Sequence, residues 1–188
     1  MKYLTEKIKE ILLSDPTAVI AIDGMCASGK TTFAKKLEDE YGLQVIHMDD
    51  FFLPPDMRTE ERLSMPGGNV HYERFIDEVI TPLKNGTDSV YRVFNCSVGE
   101  YTEERKILYG KPVLIEGAYS THPKIPDICD LKVFFKVSPE TQLERIEKRN
   151  GAKALEMFRE NCIPLENRYF NGTDAKNRCT LCIQVQNR

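Results

Sequence analysis

The sequence lacks tryptophan, has only three histidines and has no excess of basic residues. Its 26 lysines and arginines against 29 acidic residues give a formal net charge of −3 at pH 7, so it offers no strongly basic surface for nucleic acid or anionic membranes. Apolar runs are too short to cross a bilayer, and the charged start of the chain is unlike a signal peptide. We therefore expect a cytoplasmic protein that binds neither nucleic acid nor membrane.

A structural metal centre also lacks support. The six cysteines are scattered, and the C-x-x-C of Cys179 and Cys182 has no second pair or histidine cluster to complete a zinc site. We expect free thiols in a reducing compartment and a terminal strand at CTLCIQV. Without internal repeats or low-complexity segments, the 188 residues are expected to form one domain, 1–188.

The sequence is organised around residues 17–36, TAVIAIDGMCASGKTTFAKK. A short β-branched apolar run indicates a buried strand, and it leads directly into G-x-x-x-x-G-K-T and an amphipathic helix. In that context, backbone N–H groups and the helix N-terminus form a concavity for a polyphosphate. Lys30 is expected to reach the outer phosphates and the Thr31 hydroxyl to ligate magnesium. The predicted nucleotide-binding residues, here called the phosphate loop, are Gly24, Met25, Cys26, Ala27, Ser28, Gly29, Lys30, Thr31 and Thr32. The alternative is a glycine-containing turn between a strand and a helix.

Four further apolar segments alternate with helical patterns and predict an α/β fold. They are LQVI, KPVLIE, LKVFFKV and the segment from Thr180 to Val185. Together with the first strand they predict a mostly parallel five-stranded sheet with helices on both faces. Residues 88–108 alternate loosely and indicate a projecting β-hairpin. A break is expected before Pro164, in the helical segment that follows Gly151.

Two carboxylates, Asp49 and Asp50, follow the second predicted strand. Because parallel strands carry their ligands at their carboxyl ends, these side chains are expected to face the phosphates. Alternation predicts that Asp50 turns away from the direction of Asp49. The alternative is that both carboxylates cap the next turn.

Several motifs now stand in order: GMCASGKTT, HMDDFF, PGGN, IEGAYS-x-HP, ERIEKRNG and IPLE-x-x-YF. Through them the sequence resembles the uridine kinase/phosphoribulokinase family of P-loop kinases, and more narrowly a bacterial uridine kinase-like group. The resemblance spans about residues 16–185. It implies a three-layer α/β/α P-loop kinase domain with a short helical lid, here residues 149–158, and use of ATP or GTP with Mg²⁺.

The resemblance also implies roles for charged residues. Asp49 is expected to be the base that takes the proton of the acceptor hydroxyl. Glu116, at the end of a buried strand, is expected to coordinate magnesium with Thr31 and Asp49; the alternative is a glutamate that merely ends a strand.

Arg145 and Arg149 match the arginines that close on the phosphates and would act in catalysis with Lys30. Arg145 could instead pair with Glu144 and Glu147 at the surface. The lid is shorter than in larger family members and offers only Lys153 as a further cation.

The resemblance places Tyr91 and His71, with Asp49 and Glu116, at the substrate. Tyr91 would lie against a base, whereas Cys96 replaces a family histidine, and His71 or Val70 replaces the acid that holds ribose hydroxyls. The alternatives are a core tyrosine and a surface histidine.

We therefore predict a kinase that phosphorylates a hydroxyl of a nucleoside such as uridine or of a similar small metabolite. Pantothenate and sugar phosphates are alternative acceptors. A second class is a regulatory switch NTPase, although the sequence has no N-K-x-D stretch and NGTD at 171–174 is a poor substitute. A nucleic-acid-linked NTPase is disfavoured by the net charge. Homo-oligomerisation stays open.

Overall fold

The computed structural model describes residues 1–186 as seven strands and a set of helices around them. The strands are β1 (Val19–Gly24), β2 (Gln44–His47), β3 (Ser89–Asn95), β4 (Glu100–Ile107), β5 (Val113–Glu116), β6 (Leu131–Lys136) and β7 (Leu181–Gln184). The α-helices are α1 (Lys2–Ser14), α2 (Lys30–Tyr41), α3 (Glu60–Ser64), α4 (Tyr72–Phe75), α5 (Thr81–Lys84), α6 (Pro139–Asn150), α7 (Ala152–Met157) and α8 (Ile163–Thr173). Among these described residues, no helix has the length and apolar content needed to cross a membrane.

Five strands form a parallel sheet in the order β2-β5-β1-β6-β7. Alternate residues of β5 face opposite layers: Leu114 packs with α1 and α2, whereas Val113 and Ile115 pack with the helices on the other face. Helices therefore cover both faces, as predicted. The predicted α/β/α architecture and five-stranded parallel sheet are confirmed, including the terminal strand β7.

The predicted hairpin is the separate antiparallel pair of β3 and β4. Its inward residues are buried, among them Tyr91 and Val93, while most of β4 is exposed. A register shift between Val93 and Phe94 bends the pair. One face of β3 thus packs into the core to which β2 also contributes. The rest of the hairpin projects from the sheet.

The expected break before Pro164 is wrong, because a π-helical turn carries the helix through this point. Residues Phe158–Cys162 form that turn, and the Ile163 N–H bonds to the Phe158 carbonyl five residues earlier. The same arrangement, Ile76–Ile80, precedes Pro82. Because proline has no N–H, it cannot donate the hydrogen bond that a regular α-helix requires at its position. The π-helical turn shifts the hydrogen-bond pattern by one residue, so the helix passes the proline without an unmet hydrogen bond. The helical path from α7 to the end of α8 is therefore continuous.

The last residue of β1, Gly24, lies in close backbone contact with β6. Its φ is +129°, and the Met25 N–H donates to the Phe135 carbonyl at 3.1 Å. A Cβ at residue 24 would lie 2.1 Å from that carbonyl oxygen. Only glycine fits this conformation and this approach together.

We predict that Gly24→Ala lowers the free energy of unfolding by about 3 kcal/mol or more, because it adds both backbone strain and a backbone clash. The matched control is Gly42→Ala at the C-cap of α2, where φ is +69° and nothing lies within 4 Å of the new Cβ. That variant should lose only about 1–2 kcal/mol. Urea unfolding of both variants is the measurement, and equal losses would contradict the close contact at Gly24.

Candidate functional site

The phosphate loop joins β1 to α2 in a tight left-handed path. Ala27 and Gly29 have positive φ values of 56° and 92°, and the Ser28 N–H bonds back to the Met25 carbonyl. Helix α2 begins at Lys30 with no side-chain cap on Gly29, so its first N–H groups are available to an anion. The buried Ser28 hydroxyl has no hydrogen-bond partner within residues 1–186. The loop therefore forms a cradle with hydrogen-bond donors that an anion could use.

Lys30 lies inside this cradle and is 7% exposed. Its ammonium donates to the loop carbonyls of Gly24 and Met25 at 2.8 and 2.9 Å. The charge is thus held at the mouth of the loop, within a short side-chain movement of the position where phosphates would bind.

Thr31 and Glu116 meet beside the loop. The Thr31 hydroxyl donates to Glu116 Oε1 at 3.0 Å, and His47 Nδ1 contacts the same oxygen at 2.6 Å. That contact with Glu116 raises the pKa of His47. A hydroxyl and a carboxylate are ligands of the kind Mg²⁺ takes when phosphates and water complete its shell. Within the described residues there is no cluster of three or more His, Cys, Asp or Glu that could hold a metal ion.

Asp49 and Asp50 lie in a 3₁₀ turn, Met48–Phe51, that follows β2 directly. The alternation expected for them is wrong because the chain has left the strand, yet the two carboxylates do point apart. Asp49 is reached by solvent, but the protein around it desolvates the carboxylate and raises its pKa, and the nearby charge of Lys30 opposes that effect. Asp50 is buried and accepts from the Tyr91 hydroxyl at 3.2 Å and from Arg105 at 3.1 Å.

The Met48–Phe51 turn is anchored by Arg74, a buried arginine on α4. Its guanidinium donates to the Asp50 carbonyl and to the Arg92 carbonyl, both at 2.6 Å, and lies 4.3 Å from the Phe51 ring centre. Arg74 thereby ties the turn that carries Asp49 to the hairpin. The sequence analysis missed this residue, which lies in a helix pattern with no distinguishing motif.

A cavity of about 760 Å³ lies beside the start of α2. Its volume is within the range of small-molecule sites. Arg145, Lys148 and Arg149 of α6 line it together with the phosphate loop. Arg145 donates to the Ala27 carbonyl at 3.1 Å, so it contacts the loop. Arg149 lies at the cavity wall, where its guanidinium approaches the Phe158 ring and Asn150.

Tyr91 and His71, two of the four residues expected at the substrate, make structural contacts instead. Tyr91 is fully buried, with its ring packed on Phe51, so no face of it is available to stack on a base. His71 caps α4 by accepting from the Arg74 N–H, and burial lowers its pKa. Tyr91 therefore matches the alternative of a core tyrosine. His71 is half-buried and caps α4, so it is not the surface histidine of the other alternative. Tyr91 contacts the Met48–Phe51 turn through its hydrogen bond to Asp50.

The most buried acid near the loop, Asp23, was also missed. It precedes Gly24 and is 0% exposed. Oδ1 accepts from Gly24 N and Tyr119 N, at 2.7 and 3.1 Å. Oδ2 accepts from Thr121 N, Thr121 Oγ1 and Tyr169 OH, at 3.0, 2.7 and 2.7 Å. The signal available in the sequence was a lone carboxylate that ends the apolar run VIAI.

Comparison with known proteins gives related architectures. No protein-family model matches the chain. A cytidylate kinase from Methanopyrus kandleri is 26% identical over 136 residues; the match covers 72% of this chain, which spans only 64% of that relative's length. The structure of a possible uridine kinase from Bacillus stearothermophilus superposes with a TM-score of 0.65 at 18% identity, covering 96% of this chain and 99% of the other. Phosphoribulokinase from Rhodobacter spheroides gives 0.56 at 16% identity, covering 90% and 70%. The fold is that of P-loop kinases.

We predict that Asp23→Asn lowers the free energy of unfolding by about 2–3 kcal/mol, because an amide NH₂ would face donors where an oxygen now accepts. Tyr169→Phe, which removes only one of those donors, should lose about 1.5 kcal/mol or less. Urea unfolding compares the two variants. A larger loss in Tyr169→Phe than in Asp23→Asn would show that the carboxylate is not the centre of this network.

Proposed function

We propose that this protein is an ATP- or GTP-dependent kinase that phosphorylates a hydroxyl of a nucleoside or a similar small metabolite. The observation that carries the proposal is the convergence of Lys30, the Thr31–Glu116 pair and Asp49 at one mouth of the phosphate loop. The P-loop kinase fold and the cytidylate kinase relative support kinase chemistry in general. Nothing in a simple strand-to-helix turn requires this set.

In the proposed reaction, the loop N–H groups hold the phosphates and Lys30 moves from the loop carbonyls to the outer phosphates. Thr31 and Glu116 would hold Mg²⁺, which supplies charge neutralisation at the transferring phosphate when bound. Arg145 and Arg149 line one cavity with Lys30 and Thr31, so their guanidinium groups can add positive charge as the phosphoryl group moves. The protein thus contributes position and charge rather than covalent chemistry.

Asp49 is the proposed base. A carboxylate near the terminal phosphate can orient the acceptor hydroxyl and take its proton late in the transfer. The raised pKa of Asp49 makes it a better proton acceptor than an ordinary surface aspartate. Asp50 is unsuited to the role, since Tyr91 and Arg105 already occupy its carboxylate.

The nucleoside class of the acceptor follows from the resemblance to uridine kinases. Burial of Tyr91 removes the proposed base-stacking contact, and the acid beside His71, Glu73, is taken up by Arg62 at 2.7 and 2.8 Å. Pantothenate and sugar phosphates therefore remain alternative acceptors. An assay of the purified protein with MgATP or MgGTP against nucleosides, ribosides, pantothenate and sugar phosphates tests the class directly. Intact nucleotide binding without transfer to any of them would favour a switch NTPase.

We predict that Asp49→Asn lowers kcat by about 100-fold or more, because the amide cannot accept the hydroxyl proton. Nucleotide affinity, measured by calorimetry with MgADP, should stay within about threefold of wild type, since Asp49 is not part of the cradle. The control is Asp39→Asn on the exposed face of α2, where the carboxylate pairs with Lys35. This variant should keep full turnover. Full activity of Asp49→Asn, or a greater loss in Asp50→Asn, would contradict the assignment.

A further inference from the structure

One buried carboxylate reaches the phosphate loop from the far end of the chain. Glu166 lies on α8 and is 8% exposed. Its Oε2 accepts a hydrogen bond from the backbone N–H of Cys26 at 2.9 Å. Burial raises its pKa, and the nearby ammonium of Lys30 opposes that rise. Glu166 is thus a neighbour of the phosphate site, although no part of the reaction proposed above uses it.

The carbonyl group of Cys26 is held by a side chain of α6. Gln142 is 3% exposed, and its side-chain amide donates to the Cys26 carbonyl at 3.1 Å and approaches the Cys26 sulfur at 3.0 Å. The N–H and the carbonyl of Cys26 are therefore each paired with a buried side chain. These two side chains come from the two helices that flank α7, the helix of the predicted lid.

This double contact is specific in its geometry. A backbone N–H that loses its only nearby acceptor in a buried place is costly, and a loop that must be ordered on binding loses affinity. The conformation of the loop at this point therefore depends on α6 and α8.

We propose that Glu166 is a positioning residue that, with Gln142, clamps Cys26 and joins the phosphate loop to the helices on either side of the lid. The clamp preorganises the loop for a nucleotide. It also couples any movement of α6 or α8 to the conformation of the phosphate loop. This inference rests on the proposed function, because it assumes that the loop binds a nucleotide.

The test compares Glu166→Ala with Glu166→Gln, which keeps an oxygen that can accept from Cys26. The matched control is Glu160→Ala, an exposed glutamate before α8. We expect Glu166→Ala to weaken MgADP binding by about tenfold or more, as for a lost charge-assisted hydrogen bond. Glu166→Gln should remain within about threefold of wild type, and Glu160→Ala should match wild type.

A second measurement requires neither nucleotide nor turnover. In the nucleotide-free protein, amide hydrogen exchange followed by NMR should show the Cys26 N–H exchanging about tenfold or more faster in Glu166→Ala. The amides of β1 should be unchanged, and Glu166→Gln should restore protection at Cys26. Because this readout is independent of catalysis, a failed kinase assay with altered exchange would reject the proposed function and retain the clamp.

Two outcomes overturn the clamp: exchange and affinity in Glu166→Ala equal to those in Glu160→Ala, or a Glu166→Gln variant as impaired as Glu166→Ala. If Glu166→Ala does not fold, Gln142→Ala replaces it, because it removes the other half of the contact. That variant should also weaken MgADP binding, and unchanged affinity would count against the proposal in the same way.

Discussion

The buried carboxylate of Asp23 is the constraint on which the rest of the site depends. It accepts five hydrogen bonds, and the donors come from the start of the phosphate loop, from the segment after β5 and from Tyr169 on α8. A buried charge is tolerated only when it is paired or fully hydrogen-bonded. Because one side chain satisfies this requirement with three distant segments, their positions are coupled. The end of β1 therefore couples the position of the phosphate loop to that of α8.

Charge balance is a further constraint on the proposed site. Burial raises the pKa of Asp49 and of Glu166, and the nearby ammonium of Lys30 opposes that rise in both. The Glu116 carboxylate lies beside Thr31, at the start of the same helix. A polyphosphate entering this group would meet more negative than positive charge. A divalent cation held at Glu116 would offset part of that repulsion, and the arginines of α6 are placed to offset more. The acidic site and the basic cavity wall are thus complementary parts of one arrangement.

The sequence predicted what depends on local pattern and failed where long-range contacts decide. The parallel sheet, the hairpin and the phosphate loop follow from apolar runs and from glycine spacing, and the structure contains them. The burial of Tyr91 could not be predicted, because a motif position does not reveal burial. Asp23 and Glu166 were missed because their partners lie 98 and 140 residues away. Pro164 was misjudged because a π turn absorbs it, and no local signal in the sequence announces that turn.

The segment between the Met48–Phe51 turn and α4 shows how charged side chains can replace regular structure. Residues 53–70 contain only short helical pieces, yet Arg62 holds them by donating to the carbonyls of Gly68 and Val70 and by pairing with Glu73. At Gly68 a Cβ would lie 1.8 Å from the Arg62 carbonyl oxygen, so the adjacent glycines of PGGN permit this close return of the chain. The segment is therefore preformed by one arginine. Arg74 fixes the Met48–Phe51 turn in the same manner, by donating to the Asp50 carbonyl. Two arginines, rather than regular secondary structure, therefore hold the chain between β2 and α4.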